Sequence, residues 1–219
     1  AVAALYGESK AVNTLKEDVQ ATIKKGSKVT ASSGSIKVLA NLLPTDLPDP
    51  DPNYSRYSPP PQTNIYADTH SVGVSMAIAV PEEGVPIAFA GAVILSDTVS
   101  TSQSKVIAKV EDSDLDAYTD ISVSSNDNTT VYAVARDTSV AISDALSVAV
   151  AVPKAEQTIG NTVQATVEST SDGESEMDII AQNGDIDVTA TSGAHVKTET
   201  TVWSASIGAV SVSDSSSTT

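Results

Sequence analysis

The sequence predicts an all-β chain folded as a parallel β-solenoid with inserted loops. Three observations predict it: a stock of small and β-branched side chains, alternation with a period of two, and an internal repeat. The 219 residues are enough for a substantial core, yet aromatic residues make up only 4% and charged residues 18%, while Ala, Val, Ser and Thr dominate. Such side chains fit a pleated, half-buried surface, whereas a helical bundle of this size would draw on Leu and Met.

The repeat sets the architecture. Val29 to Ala40 aligns without gaps on Ile179 to Ala190 through the frame Ala-x-x-Gly-x-Ile-x-Val-x-Ala, at an offset of 150 residues. Upstream, Val19-Gln-Ala-Thr-Ile23 recurs as Val163-Gln-Ala-Thr-Val167, with Val106-Ile-Ala-Lys-Val110 as a third copy. Thr63-Asn-Ile-Tyr-Ala67 answers Thr129-Thr-Val-Tyr-Ala133, Ser71 to Ser75 answers Ser139 to Ser143, and Ala79-Val-Pro81 answers Ala151-Val-Pro153. The order predicts unit 1 over residues 19–105, unit 2 over 106–162 and a third, truncated unit over 163–219. Residues 1–18 read as the tail of a preceding unit, because Ala1 to Ala4 resembles Ala149 to Val152.

Anchor spacing locates the decorations. Ile121 to Val131 and Ile186 to Val196 each span ten residues, whereas Ile36 to Ile65 spans 29, an excess of 19. The excess coincides with the insertion 42–62, which holds seven of the ten prolines and cannot follow a ladder of backbone hydrogen bonds. A second, apolar insertion is expected over 82–97.

Within units, Ile186, Val188 and Ala190 point one way while Asp187 and Thr189 point the other, which is strand periodicity. Ile36, Val38, Ile121, Val123, Ile186 and Val188 are therefore the expected inward residues. Short strands of about four to six residues would be punctuated by turn formers such as Ser-Ser-Gly and Gln-Asn-Gly-Asp. Tandem β-sandwich modules are the alternative, but such modules run about 100 residues with aromatic-rich cores, and here Val106 and Val163 lie 57 residues apart. In a solenoid, each unit would supply about two or three coils of roughly 20–30 residues.

Asn183-Gly-Asp-Ile-Asp-Val-Thr-Ala-Thr191, Thr129-Thr-Val-Tyr-Ala-Val-Ala135 and Ser147-Val-Ala-Val-Ala-Val152 resemble the repeats of giant secreted bacterial surface proteins, the filamentous-haemagglutinin-like and large adhesin families. The likeness covers most of the chain outside the two insertions. It implies secretion, a right-handed β-helix and a structural or adhesive role at the cell surface, and it brings no catalytic residues.

A net charge of −16 disfavours nucleic acid and anionic membranes as partners. Cysteine is absent, so no disulfide framework or thiolate metal site is available. The longest apolar run, Val85 to Leu95, is too short to span a bilayer as a helix. His70 and His195 have no carboxylate pattern beside them, no nucleophile elbow or phosphate loop occurs, and the only arginines are Arg56 and Arg136. No enzyme is expected.

Calcium is the one cofactor for which the residues offer ligands. Asp46, Asp49, Asp51 and Asn53 place side-chain oxygens at alternating positions, as a loop wrapping a hard cation requires. Asp112, Asp114 and Asp116 repeat that spacing, although neither stretch has the Gly and Glu of a complete EF-hand loop, and an ordinary acidic turn explains both. Tyr54, Arg56 and Tyr57 could stack on a glycan or a surface protein, or pin their loop to the wall. Six of the twelve basic residues fall in the first 37 positions, so the N-terminal end should be the positive end of an otherwise negative solenoid. Lys24, Lys25 and Lys28 are accordingly the candidate contacts for head-to-tail assembly with another copy. The expected function is a non-catalytic component of an extracellular fibre or surface layer, or alternatively an adhesin segment whose insertions bind glycan or protein.

Overall fold

The computed structural model describes residues 2–44, 63–78, 88–143, 146–170, 177–207, 210–213 and 216–218. These residues form parallel strands and no helix, in a solenoid of three coils with five strands in each. The first coil contains β1 (Val2–Leu15), β2 (Asp18–Ile23), β3 (Lys28–Ala31), β4 (Ile36–Leu42) and β5 (Ile65–Ala77). The second contains β6 (Phe89–Ser102), β7 (Lys105–Glu111), β8 (Asp114–Ala117), β9 (Ile121–Asp127) and β10 (Thr130–Ser143). The third contains β11 (Leu146–Ile159), β12 (Thr162–Glu168), β13 (Ile179–Ala181), β14 (Ile186–Ser192) and β15 (His195–Ile207). Two short strands, β16 (Val210–Ser213) and β17 (Ser216–Thr218), pair with β11.

Each strand lies on its counterpart in the next coil, so five parallel sheets run along the stack. The repeat anchors fall in register: Val19 on Val106 on Val163, Ile36 on Ile121 on Ile186, and Ile65 on Val131 on Val196. One repeat unit therefore makes one coil of five strands, not two or three small ones. Two long strands per coil, of 13–14 residues, account for the difference.

The coil has two lobes. In the head, β2, β7 and β12 face β4, β9 and β14, with β3, β8 and β13 closing the tip. Three sheets enclose an interior wide enough for branched side chains, and Ile36, Val38, Val106, Val110, Leu115, Ile121 and Val123 fill it. In the plate, the sheet of β1, β6 and β11 lies directly against the sheet of β5, β10 and β15, running in the opposite direction. Ser75 Oγ donates to Ala3 O (3.1 Å) at one end of this contact and Asn13 Nδ2 to Tyr66 O (2.7 Å) at the other.

The plate interior is made of small residues, among them Ala90, Ala92, Ala133, Ala135, Ala141, Ala149 and Ala151. Buried hydroxyls between them would be costly without partners. Ser139 donates to Ala92 O at 3.0 Å, Ser143 to Ala88 O at 2.9 Å and Thr98 to Val134 O at 3.0 Å, each tying one sheet to the other. Ile94 is a large aliphatic side chain buried there, and it seats over Gly73: a Cβ at that position would lie 2.2 Å from its Cδ1. Where plate meets head, Asn161 accepts from Ser102 Oγ and Ser104 N, both at 2.8 Å, and donates to Asp127 Oδ2 at 2.8 Å and Thr129 Oγ1 at 3.0 Å.

Several sequence expectations are corrected. The apolar stretch assigned to the insertion 82–97 is, from Phe89 onward, the start of β6, paired with β1 and β11. Ser139 pairs with Gly73 and Ser71 with Asp137, two residues from the expected alignment. Residues 1–18 hold β1, which stacks under β6 and so occupies the place of β6 and β11, the strands that end the two following units. Ile36, Val38, Ile121 and Val123 are buried as expected, but Ile186 and Val188, though in the same inward rows, are 48% and 46% exposed because they lie on the last described coil.

Candidate functional site

Alternation leaves every second residue of the plate strands pointing outward. On the sheet of β5, β10 and β15, in-register stacking puts Tyr66, Tyr132 and Lys197 in one row, Asp68, Val134 and Glu199 in the next, and His70, Arg136 and Thr201 in the third. The two tyrosine rings lie 5.5 Å apart and tilted by 43°, and Lys197 Nζ sits 4.8 Å from the Tyr132 ring centre, a cation–π distance. Arg136 Nη1 donates to both Asp68 oxygens, at 2.9 and 2.7 Å, and Nη2 lies 3.7 Å from Glu199 Oε1. Tyr66 OH donates to Asp68 Oδ2 (2.9 Å) and Tyr132 OH to Glu199 Oε2 (2.6 Å). Burial, and then the Asp68 charge, push the Tyr66 hydroxyl up to about 12, and burial with the Glu199 bond raises Tyr132 likewise. Both phenols therefore remain donors that fix the carboxylates. Asp68, Arg136 and Glu199 form a closed bracket across three coils with charge order minus, plus, minus, and Lys197 adds a plus beside Glu199.

Beyond it the same face turns apolar. Val72, Thr138 and Trp203 form one row, Val74, Val140 and Ala205 the next, then Met76, Ile142 and Ile207. Val72, Val74, Met76, Ile78, Trp203 and Ile207 are all exposed, Trp203 at 57%. The opposite face, on β1, β6 and β11, has the same layout. Apolar rows run from Val2, Phe89 and Leu146 through Tyr6, Val93 and Val150; the next row, Glu8, Leu95 and Val152, carries one carboxylate, and a charged row of Lys10, Asp97 and Lys154 follows. Lys10 Nζ lies 2.9 Å from Asp97 Oδ2, and Lys154 is paired with Glu156. This row carries plus, minus, plus.

The plate thus keeps small residues inside and its large apolar ones outside. Two sheets this close admit a large side chain such as Ile94 where a glycine faces it, so most of the larger members of each alternating pair, such as Val148, Val150 and Val152 beside Ala149 and Ala151, face out.

The residues singled out in the sequence fall elsewhere. Asp46, Asp49, Asp51, Asn53, Tyr54, Arg56 and Tyr57 lie outside the described residues. Asp112, Asp114 and Asp116 sit at the head tip, each engaged by the next coil. Asp112 accepts from Thr170 N (2.6 Å) and Oγ1, Asp114 from Asp178 N (3.1 Å) and Asp116 from Gln182 Nε2 (2.8 Å). They staple coils together and do not converge, and among the described residues no group of three or more His, Asp or Glu could hold a metal ion. Lys24, Lys25 and Lys28 lie in and beside the β2–β3 turn. Lys25 Nζ is 3.7 Å from Asp112 Oδ2, and Lys28 pairs in register with Asp114, so this basic turn already rests on an acidic one.

The Arg136 bracket was not visible in the sequence, since its members come from three coils; only the recurring Ile-Tyr-Ala and Val-Tyr-Ala segments pointed to its tyrosine row. No helix among the described residues is long and apolar enough to cross a membrane. Compared with known protein families, curated proteins and solved structures, the chain matches none.

Proposed function

We propose that this chain is a non-catalytic structural segment of a secreted fibre or surface layer of the filamentous-haemagglutinin-like kind, assembled by stacking coils. One observation carries this reading: the inward row Ile36–Ile121–Ile186 is buried at its centre and open at its end, with Ile121 0% and Ile186 48% exposed. An open row of core residues, on strands whose outer edges have no ladder partner among the described residues, is a template for another coil. The first coil supplies a basic turn at Lys24, Lys25 and Lys28, while in the last described coil Glu168 ends β12 and Asp178 directly precedes β13. Head-to-tail stacking would set one against the other, a heterologous contact that continues as a filament unless it closes.

Negative-stain electron microscopy at low ionic strength tests the reading. The expected result is filaments that shorten when Lys24, Lys25 and Lys28 are changed to Glu. Unchanged filament length in that variant would remove the electrostatic contact. Isolated stalks from the parent protein would favour the adhesin alternative, in which the insertions bind glycan or a surface protein.

A further inference from the structure

Two apolar faces back to back on one thin plate require an explanation, because contiguous exposed apolar surface on this scale marks an interaction site. Both faces carry their apolar rows at the same end of the plate and their charged rows at the same depth. Ser139 Oγ reaches Ala92 O at 3.0 Å across the interior, which sets Thr138 and Val93 back to back on the two outer faces. Thr98 Oγ1 reaches Val134 O at 3.0 Å, so the row of Lys10, Asp97 and Lys154 lies behind the row of Asp68, Val134 and Glu199, with Arg136 beside it.

We infer that the plate stacks laterally, the β1–β6–β11 face of one copy laid on the β5–β10–β15 face of a second, with solenoid axes parallel. A simple translation perpendicular to the plate then brings apolar rows onto apolar rows. The same translation sets Lys10, Asp97 and Lys154 against Asp68, Arg136 and Glu199, plus–minus–plus on minus–plus–minus. Each face pressed on its own kind with apolar rows on apolar rows requires antiparallel axes. Because each charge order reads the same from either end, that pairing would set plus on plus and minus on minus, so the charge order selects the heterologous pairing. A bilayer is the poorer occupant, since it offers no fixed array of charges opposite to either row, as a second copy does. Strands of 13 residues at ~3.3 Å per residue, three deep at ~4.8 Å, make a face of roughly 600 Å². Two such faces bury on the order of 1,200 Å², at the lower limit of specific interfaces, and every added coil enlarges the contact.

The inference deepens the fibre reading by naming a second, lateral contact of the same self-association. The chain has no cysteine, which allows a direct test. Val93→Cys and Thr138→Cys are prepared as separate single variants, mixed and oxidised mildly. The expected product is the mixed disulfide in excess over either homodimer, with its yield lowered several-fold when Lys10→Glu and Lys154→Glu are added to the Val93→Cys variant. Circular dichroism of each variant confirms that the fold is retained. Homodimers without mixed product would overturn the inference, as would a parent chain that stays monomeric in sedimentation velocity or that binds neutral phosphatidylcholine vesicles instead. Filaments without mixed disulfide would leave axial stacking standing and remove only the lateral contact, whereas mixed disulfide without filaments would do the reverse.

Discussion

Asp137 is the residue whose environment most opposes its charge. It is 2% exposed on the inner side of β10, among the Ala and Ser of the plate. Burial raises its pKa above the ordinary 3.8, while the Ser96 hydroxyl and backbone, the Val152 backbone and His70 act in the other direction. A carboxyl whose folded-state pKa is raised favours the fold in its protonated form. Its contribution is complete below the ordinary value and lost as pH rises through the folded one. Asp137→Asn, which is neutral and nearly isosteric, should therefore raise the melting temperature at neutral pH, by roughly 2–4 °C for each kcal/mol in a chain of this size. The gain should fade toward about pH 3, where the parent is itself protonated. Thermal melts of both proteins across that range check this, and parallel curves would show that the buried carboxylate carries no cost.

At the level of elements, the head was legible and the plate was not. Ile-x-Val strands in the head alternate large apolar with polar residues, so the inward set Ile36, Val38, Ile121 and Val123 followed from the pattern alone. In β11, Val148, Val150 and Val152 alternate with Ala149 and Ala151, both sets are apolar, and periodicity cannot say which faces in. The closeness of the two sheets decides, and that distance is a tertiary fact. The same ambiguity hides the start of β6, whose uninterrupted apolar run reads in sequence as an insertion. Insertion length in the first unit, by contrast, followed from anchor spacing, because register fixes where a ladder must resume. Arg136 and its two carboxylates were out of reach, since Asp68 and Glu199 become its neighbours only once coil register is known. The inward rows also carry a test. Ile121→Asp should cost several kcal/mol by burying a carboxylate without a partner, whereas Ile186→Asp, half-exposed on the last described coil, should cost far less. Urea denaturation of the two variants compares them directly, and equal losses would mean that the last coil is covered in solution.

For the molecule as a whole, charge across the plate was not readable from the sequence, because it depends on which residues share a row. Each of the five sheets runs its hydrogen bonds from coil to coil, along the stacking direction. That arrangement also determines how the protein bears load. Tension applied at the chain ends pulls along those bonds instead of shearing across them, and the outermost coil takes the force before its neighbours do. Rupture should therefore proceed as peeling, one rung at a time. Corresponding residues lie 87 positions apart between the first two coils, as in Val2 and Phe89, and 57 between the next two, as in Phe89 and Leu146. At about 3.5 Å per extended residue, each rung would pay out roughly 200–300 Å of slack. Single-molecule pulling should record discrete lengthening steps of that size, and one all-or-none extension would show that the rungs fail together. A fibre that gives way in this manner dissipates a sudden tug by lengthening in instalments while the rungs below remain intact.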